Sequence, residues 1–161
     1  MSMYMKIEGI DGDCTQKGHE KWFDINAFSF GAANVGGGMP GSTSGRSGGE
    51  AQISEMTVSM PGASSIPTLT QFVLVAKTVD SIIIEAVTAS ANPVVYQKWM
   101  LSDCAFSNIA ISDTGDGLRG IATSLSISFT HMQFDATAIM NDGKAGPTKS
   151  VKYDVAKRAL T

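Results

Sequence analysis

The stretch that most constrains this chain is 118–134, LRGIATSLSISFTHMQF. From Ile121 onward one set of alternate residues is Ile121, Thr123, Leu125, Ile127 and Phe129. The other set is Ala122, Ser124, Ser126, Ser128 and Thr130. Alternation with a period of two belongs to a β-strand with two unlike faces, here one apolar and one of small hydroxyls. A typical strand has about 5–6 residues, so one this long must run the length of a domain with other strands paired along it.

Length and charge bound the rest. The 161 residues fit one domain, 1–161, with a sizeable core. Charged residues make up 17%, below the roughly 25% of ordinary soluble domains. A surface poor in charge and rich in Ser, Thr, Gly and Ala fits either self-association or a plainly neutral domain. The net charge of -3, with no basic run, removes the footprint of a nucleic-acid binder. No apolar run approaches a membrane span, and the start MSMYMKIEGI lacks the pattern of a cleaved signal peptide. Cys14 and Cys104, the two cysteines, read as reduced thiols. Cys14 is expected in an exposed loop and Cys104 in the core.

The order of elements follows from period and punctuation. Strands are expected at 3–8, 21–33, 50–60, 81–88, 94–101, 104–112, 118–134 and 150–155. Within 21–33 the apolar face changes sides: Phe23 and Ile25 call for burial on one face, Phe28 and Phe30 on the other. A bulge between them reconciles the halves. Residues 35–49, VGGGMPGSTSGRSGG, form a long loop inside one domain, a class that is usually functional or disordered. One helix is expected after Ser65, with Pro67 in its first turn and Leu69, Phe72, Val73 and Ala76 on one face. Clusters at 113–117 and 141–147 are turns. About eight strands and one helix without a βαβ rhythm make a mainly β fold: a small antiparallel barrel or sandwich with a short helix against it.

No catalytic or metal constellation emerges. His19 and His131 are the two histidines. His131 falls on the Ile127–Phe129 side of its strand as a satisfied, partly buried residue, and nothing places a nucleophile near His19. The Asp11-Gly12-Asp13 and Asp113–Asp116 segments lack the ligand ladder of a calcium loop and read as turns. Gly36-Gly37-Gly38 is followed by neither the Lys-Ser/Thr nor the helix of a phosphate loop. Phe28, Phe30, Leu125, Ile127, Phe129 and Trp99 are core candidates.

The ordered set of segments resembles a known family. Ile25-Asn26-Ala27-Phe28-Ser29-Phe30-Gly31 is similar to the aromatic-Ser-aromatic-Gly strand end of the Hcp (haemolysin co-regulated protein) family. Before it come Lys6-Ile7-Glu8-Gly9-Ile10-Asp11-Gly12 and His19. After it come the Gly-rich loop, the helix start Ser65-Ile66-Pro67, the Ser-rich strand and Asp142-Gly-Lys-Ala-Gly-Pro147. The match covers nearly the whole chain. Two departures stand out: Phe28 and Phe30 replace the usual Trp, and the segment after Val73 lacks the family's Ala-Cys-Ala helix end.

The resemblance implies a non-enzymatic tube protein of type VI secretion, without cofactor or metal. It implies six-membered rings that stack into a hollow tube inside a contractile sheath. Spike, sheath and baseplate proteins are its partners, and effectors ride in the lumen. It also implies synthesis in the bacterial cytoplasm and export by the machine itself, without a signal peptide. On this reading Ser29, Ser124, Ser126, Ser128 and Thr130 are candidates to line the lumen, although the Ser-rich strand face equally suits a seam between subunits. Gly36, Gly37, Gly38, Met39, Arg46 and Gly48 are candidates to contact a neighbouring ring. The alternatives are a monomeric small-barrel binding module and a phage-type tail-tube subunit.

Overall fold

The computed structural model describes residues 1–35 and 50–161. The six ring-contact candidates in the Gly-rich loop lie outside those residues. The strands are β1 (Ser2–Ile7), β2 (Phe23–Ile25), β3 (Ala27–Ser29), β4 (Ala32–Val35), β5 (Glu50–Ile53), β6 (Met56–Pro61), β7 (Thr78–Val87), β8 (Val95–Asp113), β9 (Ile121–Ser128), β10 (His131–Ile139), β11 (Ala145–Asp154) and β12 (Ala159–Leu160). Helix α1 spans Ile66–Leu74, and a 3-10 turn spans Gly117–Gly120.

All the pairings are antiparallel, and following them closes a barrel. β1 pairs with β2 and β7, β7 with β8, β8 with β9, β9 with β6, and β6 with β3. β3 continues β2 after a bend at Asn26, whose N–H donates to the Ser59 carbonyl at 2.8 Å. The bend changes partner from β1 to β6. It also exchanges faces, so that Phe23 and Ile25 are buried before it while Phe28 is half-buried and Ser29 exposed after it. The reversal read in the sequence between Ile25 and Phe28 thus sits at a barrel corner.

Two expected strands are one, and one expected strand is two. Residues 94–101 and 104–112 join in β8, which is 19 residues long. Asp103 takes φ 51 inside it, a conformation that Asp tolerates better than most residues. The segment 118–134 breaks instead into β9 and β10, with Phe129 and Thr130 between them. β9 lies along β8 from Ala105 to Asp113 and β10 from Gln97 to Ser102. The two halves therefore follow one edge of β8 and bend together opposite Asp103. The Thr130 N–H reaches Ser102 O at 3.1 Å, and its hydroxyl reaches Asp103 O at 3.3 Å. Past that bend the parity shifts. Met132 and Phe134 pack on the core and His131 is exposed, which corrects the reading of His131 as partly buried on the Ile127 side.

The expected strand 50–60 also divides. β4 and β5 form a separate hairpin, joined to the barrel where Ser54 Oγ accepts from the Gly31 N–H at 2.7 Å. The last long strand starts at Ala145, not Ser150, and takes Gly146 and Pro147 into its ladder. Proline is tolerated there because β11 is an edge strand.

The barrel is filled. Met5, Met56, Val58, Leu69, Ile82, Ile84, Leu101, Cys104, Leu125 and Ile127 have no exposed surface. Burying each aliphatic side chain of this size stabilises the fold by about 1.5–3 kcal/mol. Phe28, Phe30 and Phe129 are partly buried against this core, and Trp99 stacks on Phe134 with ring centroids 4.1 Å apart. Helix α1 contributes Ile66 and Leu69. Ser65 occupies its N-cap without capping it, and Pro67 lies in the first turn as expected. The Ser65 hydroxyl instead donates to the Asp11 carbonyl. The helix ends at Leu74, so Ala76 falls outside it at φ 53. Cys14 is buried beside Tyr4 and Val87, a correction to the exposed loop position. Both thiols are free.

Candidate functional site

The small residues of β9 assemble with their neighbours into one outward face. Across four strands, Ser29 of β3, Thr57 of β6, Ser126 of β9 and Asn108 of β8 stand side by side. The next row is Ala27, Ser59, Ser124 and Ala110, and the one after it is Pro61, Ala122 and Ser112. Every residue in these rows is small or of medium size, and none is charged. The rows that alternate with them fall on the inner side: Val58 and Leu125 buried between half-buried Phe28 and Ile109, then buried Met60 and Thr123, with Ile111 half exposed at the far end of β8. The strict period of two puts the hydroxyls outside because the aliphatic set must be inside.

Ser29, Ser124 and Ser126 thus share the face. Ser128 follows on the same side of β9, half-buried, with its hydroxyl 3.2 Å from Ala105 O. Thr130 does not join the rows, since it lies in the bend where its hydroxyl holds the Asp103 carbonyl. The sequence reading missed Ala27, Thr57, Ser59, Asn108, Ala110 and Ser112. Their signal was present as the polar half of two alternating segments, but pairing between distant strands was needed to bring them together.

The titratable groups hold local structure. His19 Nε2 lies 2.8 Å from Glu85 Oε2, and Lys98 Nζ lies 3.4 Å from Glu85 Oε1. The His19 ring stacks on Tyr4 at 4.3 Å and meets Trp22 edge-on at 4.7 Å. This cluster binds the 8–22 loop to the outside of β1 and β7. His131 bridges Asp154, at 3.0 Å, and Asp103, at 3.6 Å, across the bend. Asp13 accepts the N–H of Ser64 at 2.6 Å and its hydroxyl at 2.5 Å, which ties the first loop to the start of α1. Those hydrogen bonds hold its carboxyl below the usual range. Gly12 has to be glycine there, because a Cβ would lie 2.2 Å from the Trp22 carbonyl oxygen. Asp113 accepts from the Gly115 N–H at 2.7 Å, the turn chemistry expected of that cluster. Among the described residues no three potential ligands converge to hold a metal, and no helix is long and apolar enough to cross a membrane.

The described residues thus make a filled barrel with a broad uncharged face on its outside. The family described as "Type VI secretion system effector, Hcp" matches residues 4–135. The chain belongs to the Hcp family, the tube proteins secreted by type VI systems, which are structural proteins rather than enzymes. Solved structures share the fold. A structure described as a type six secretion system protein superposes with TM-score 0.92 at 19% identity, covering 99% of each chain. Hcp1 from Salmonella typhimurium gives 0.79 at 18% identity, covering 99% of this chain and 98% of its own. A type VI secretion system effector from Yersinia pestis gives 0.75 at 19% identity, covering 95% and 99%. No curated protein matches the chain.

Proposed function

We propose that this chain forms six-membered rings that stack into the inner tube of a type VI secretion system, with the hydroxyl face turned to the lumen. The observation that carries the reading is the four-strand face around Ser29, Thr57, Ser126 and Asn108. A wall of short hydroxyl and methyl groups offers weak hydrogen bonds without fixed charge or long side chains, so a passenger is held loosely and leaves easily. Effector proteins are the passengers, and spike, sheath and baseplate proteins are the partners at the ends and outer wall. Export by contraction needs no signal peptide. The filled interior speaks against a monomeric barrel that stores a small ligand inside, since that space is already occupied by Met56, Val58, Leu125 and Ile127.

Light scattering tests the ring: the mass should be about six times the protomer's 16.9 kDa, with ring-shaped particles under the electron microscope. Ser29→Arg tests the lumen. Rings should persist while co-purified effector falls away. Retention unchanged from the parent would place Ser29 elsewhere, and a strict monomer at high concentration would remove the ring itself.

A further inference from the structure

Charge is concentrated at two separate places, and the hydroxyl face lies at neither. Between 144 and 158 the sequence holds the cations Lys144, Lys149, Lys152, Lys157 and Arg158 and the single carboxylate Asp154. These residues are β11 and the turn that follows it. Between 8 and 24 it holds the carboxylates Glu8, Asp11, Asp13, Glu20 and Asp24 against Lys17 and Lys21. That segment runs from the end of β1 into β2. In the sheet order β12-β11-β10-β8-β7-β1-β2 the two regions are near opposite ends. Four other strands, β10, β8, β7 and β1, stand between β11 and β2 in that order, so the two regions are separate surfaces of the chain.

Some of these charges are already used locally. Asp154 is held by His131, Lys144 lies 3.9 Å from Asp142, and Lys21 lies 3.6 Å from Asp11. Lys149 and Lys152 are exposed and form no close ion pair among the described residues, although the Ser150 hydrogen bond, together with Lys98 and Lys152, holds the Asp135 carboxyl on β10 below its usual range. The strand that carries them is also unfinished. β12 pairs only with Tyr153 and Asp154, and Thr161 N–H takes the Lys152 carbonyl. From Ala145 to Val151 the ladder of β11 has β10 on one side and, among the described residues, no strand on the other. Val151, 37% exposed, lies on this open edge, with Ile139, 43% exposed, on the adjoining β10. Lysines on an edge strand oppose indiscriminate pairing while leaving the edge free for a partner of the opposite sign.

We infer that the protomers join head to tail, the basic β11 edge of one copy set against the acidic 8–24 segment of the next. The inference rests on the ring reading and says which surfaces make the ring. Two unlike, complementary surfaces on one chain define a heterologous contact, the kind that generates a closed ring when its rotation closes. It also leaves the hydroxyl face clear of the seam, which separates the two uses open to that face.

Two charge-reversed proteins test this. In Lys149→Glu/Lys152→Glu the β11 edge itself becomes acidic, like the 8–24 segment it should meet, and in Glu8→Lys/Glu20→Lys that segment turns basic. All four side chains are exposed, so both proteins should keep the parent's circular dichroism. The unfolding midpoint should hold for the first and fall slightly for the second, which gives up the hydrogen bonds Glu8 accepts from the Ser81 hydroxyl and Glu20 from the Gly18 N–H, each 3.0 Å. Each alone should form rings only at protomer concentrations about tenfold or more above the parent, by light scattering at physiological salt. An equimolar mixture should recover rings near the parent's concentration, because the two proteins then alternate around an even-numbered ring. Rings from each variant alone at the parent's concentration, or a mixture no better than its parts, would overturn the seam while the ring stands. A parent that stays monomeric would overturn the ring reading itself, and the seam with it.

Discussion

Replacing Thr123 by valine should make the protein more stable. Thr123 belongs to the inward set of β9, between Met60 of β6 and Ile111 of β8. It is 1% exposed, and its hydroxyl has no hydrogen-bond partner. A hydroxyl buried without a partner costs about 1–3 kcal/mol in proteins. Valine fills nearly the same volume with a methyl group, keeps the β-branched shape that suits a strand, and removes the unmet donor. The expected gain is about 1–2 kcal/mol, because water pairs with the hydroxyl in the unfolded chain and folding strips that partner away without a replacement. For a chain of this length that raises Tm by about 2–8 °C. The assay is urea unfolding at one fixed protomer concentration, because association adds its own concentration-dependent stability. The midpoint should rise with the slope unchanged. Thr123→Ser, which keeps the hydroxyl and deletes the methyl, should lower it. If Thr123→Val unfolds earlier than the parent, the hydroxyl is paired in solution and the reasoning fails.

Asp13→Ala should lower stability at neutral pH by releasing Ser64 and the start of α1. The Asp13 carboxyl is held below its ordinary value by the Ser64 hydroxyl and N–H, so its contribution is complete above the unfolded value of about 4 and is lost as pH falls through the folded one. Urea midpoints across a pH series should therefore show the parent and Asp13→Ala converging in acid, and a pH-independent gap would contradict the Ser64 contact. Burial raises both thiols above their ordinary range, Cys104 to about 12. Neither should react with an aromatic disulfide reagent at pH 8 in the folded protein, while both should react in denaturant. A thiol that titrates rapidly without denaturant would show that its pocket opens.

The start of the helix, the turn at 113–117, the aliphatic core and the two-faced character of β9 were legible in the sequence, because each is written in a local period or in turn residues. The corner at Asn26 was visible as a change of buried face between Ile25 and Phe28. What misled was continuity. Ser102-Asp103 looked like a strand break, but Asp103 only bends β8 through its left-handed backbone, and pairing with β7 on both sides of it carries the strand on. Phe129-Thr130 looked like uninterrupted strand because Met132 and Phe134 keep the apolar rhythm, shifted by one. The left-handed residue of one strand and the bend in its partner answer each other across the ladder, and a single strand's pattern shows neither. The same holds for the hydroxyl face. Ser29 and Ser126 were each readable as outward-facing residues, but that Thr57 stands between them is a matter of register between strands far apart in sequence.

The closed course of pairings through β1, β2/β3, β6, β9, β8 and β7 has a mechanical consequence. A barrel offers no outer strand from which its ladders can be peeled one bond at a time. Force applied across it has to break many backbone hydrogen bonds together. The β11–β12 ladder is the opposite case, with two paired positions that can be unzipped in sequence. A protomer driven along its axis should shed its C-terminal strand at low load and keep its barrel to a much higher one.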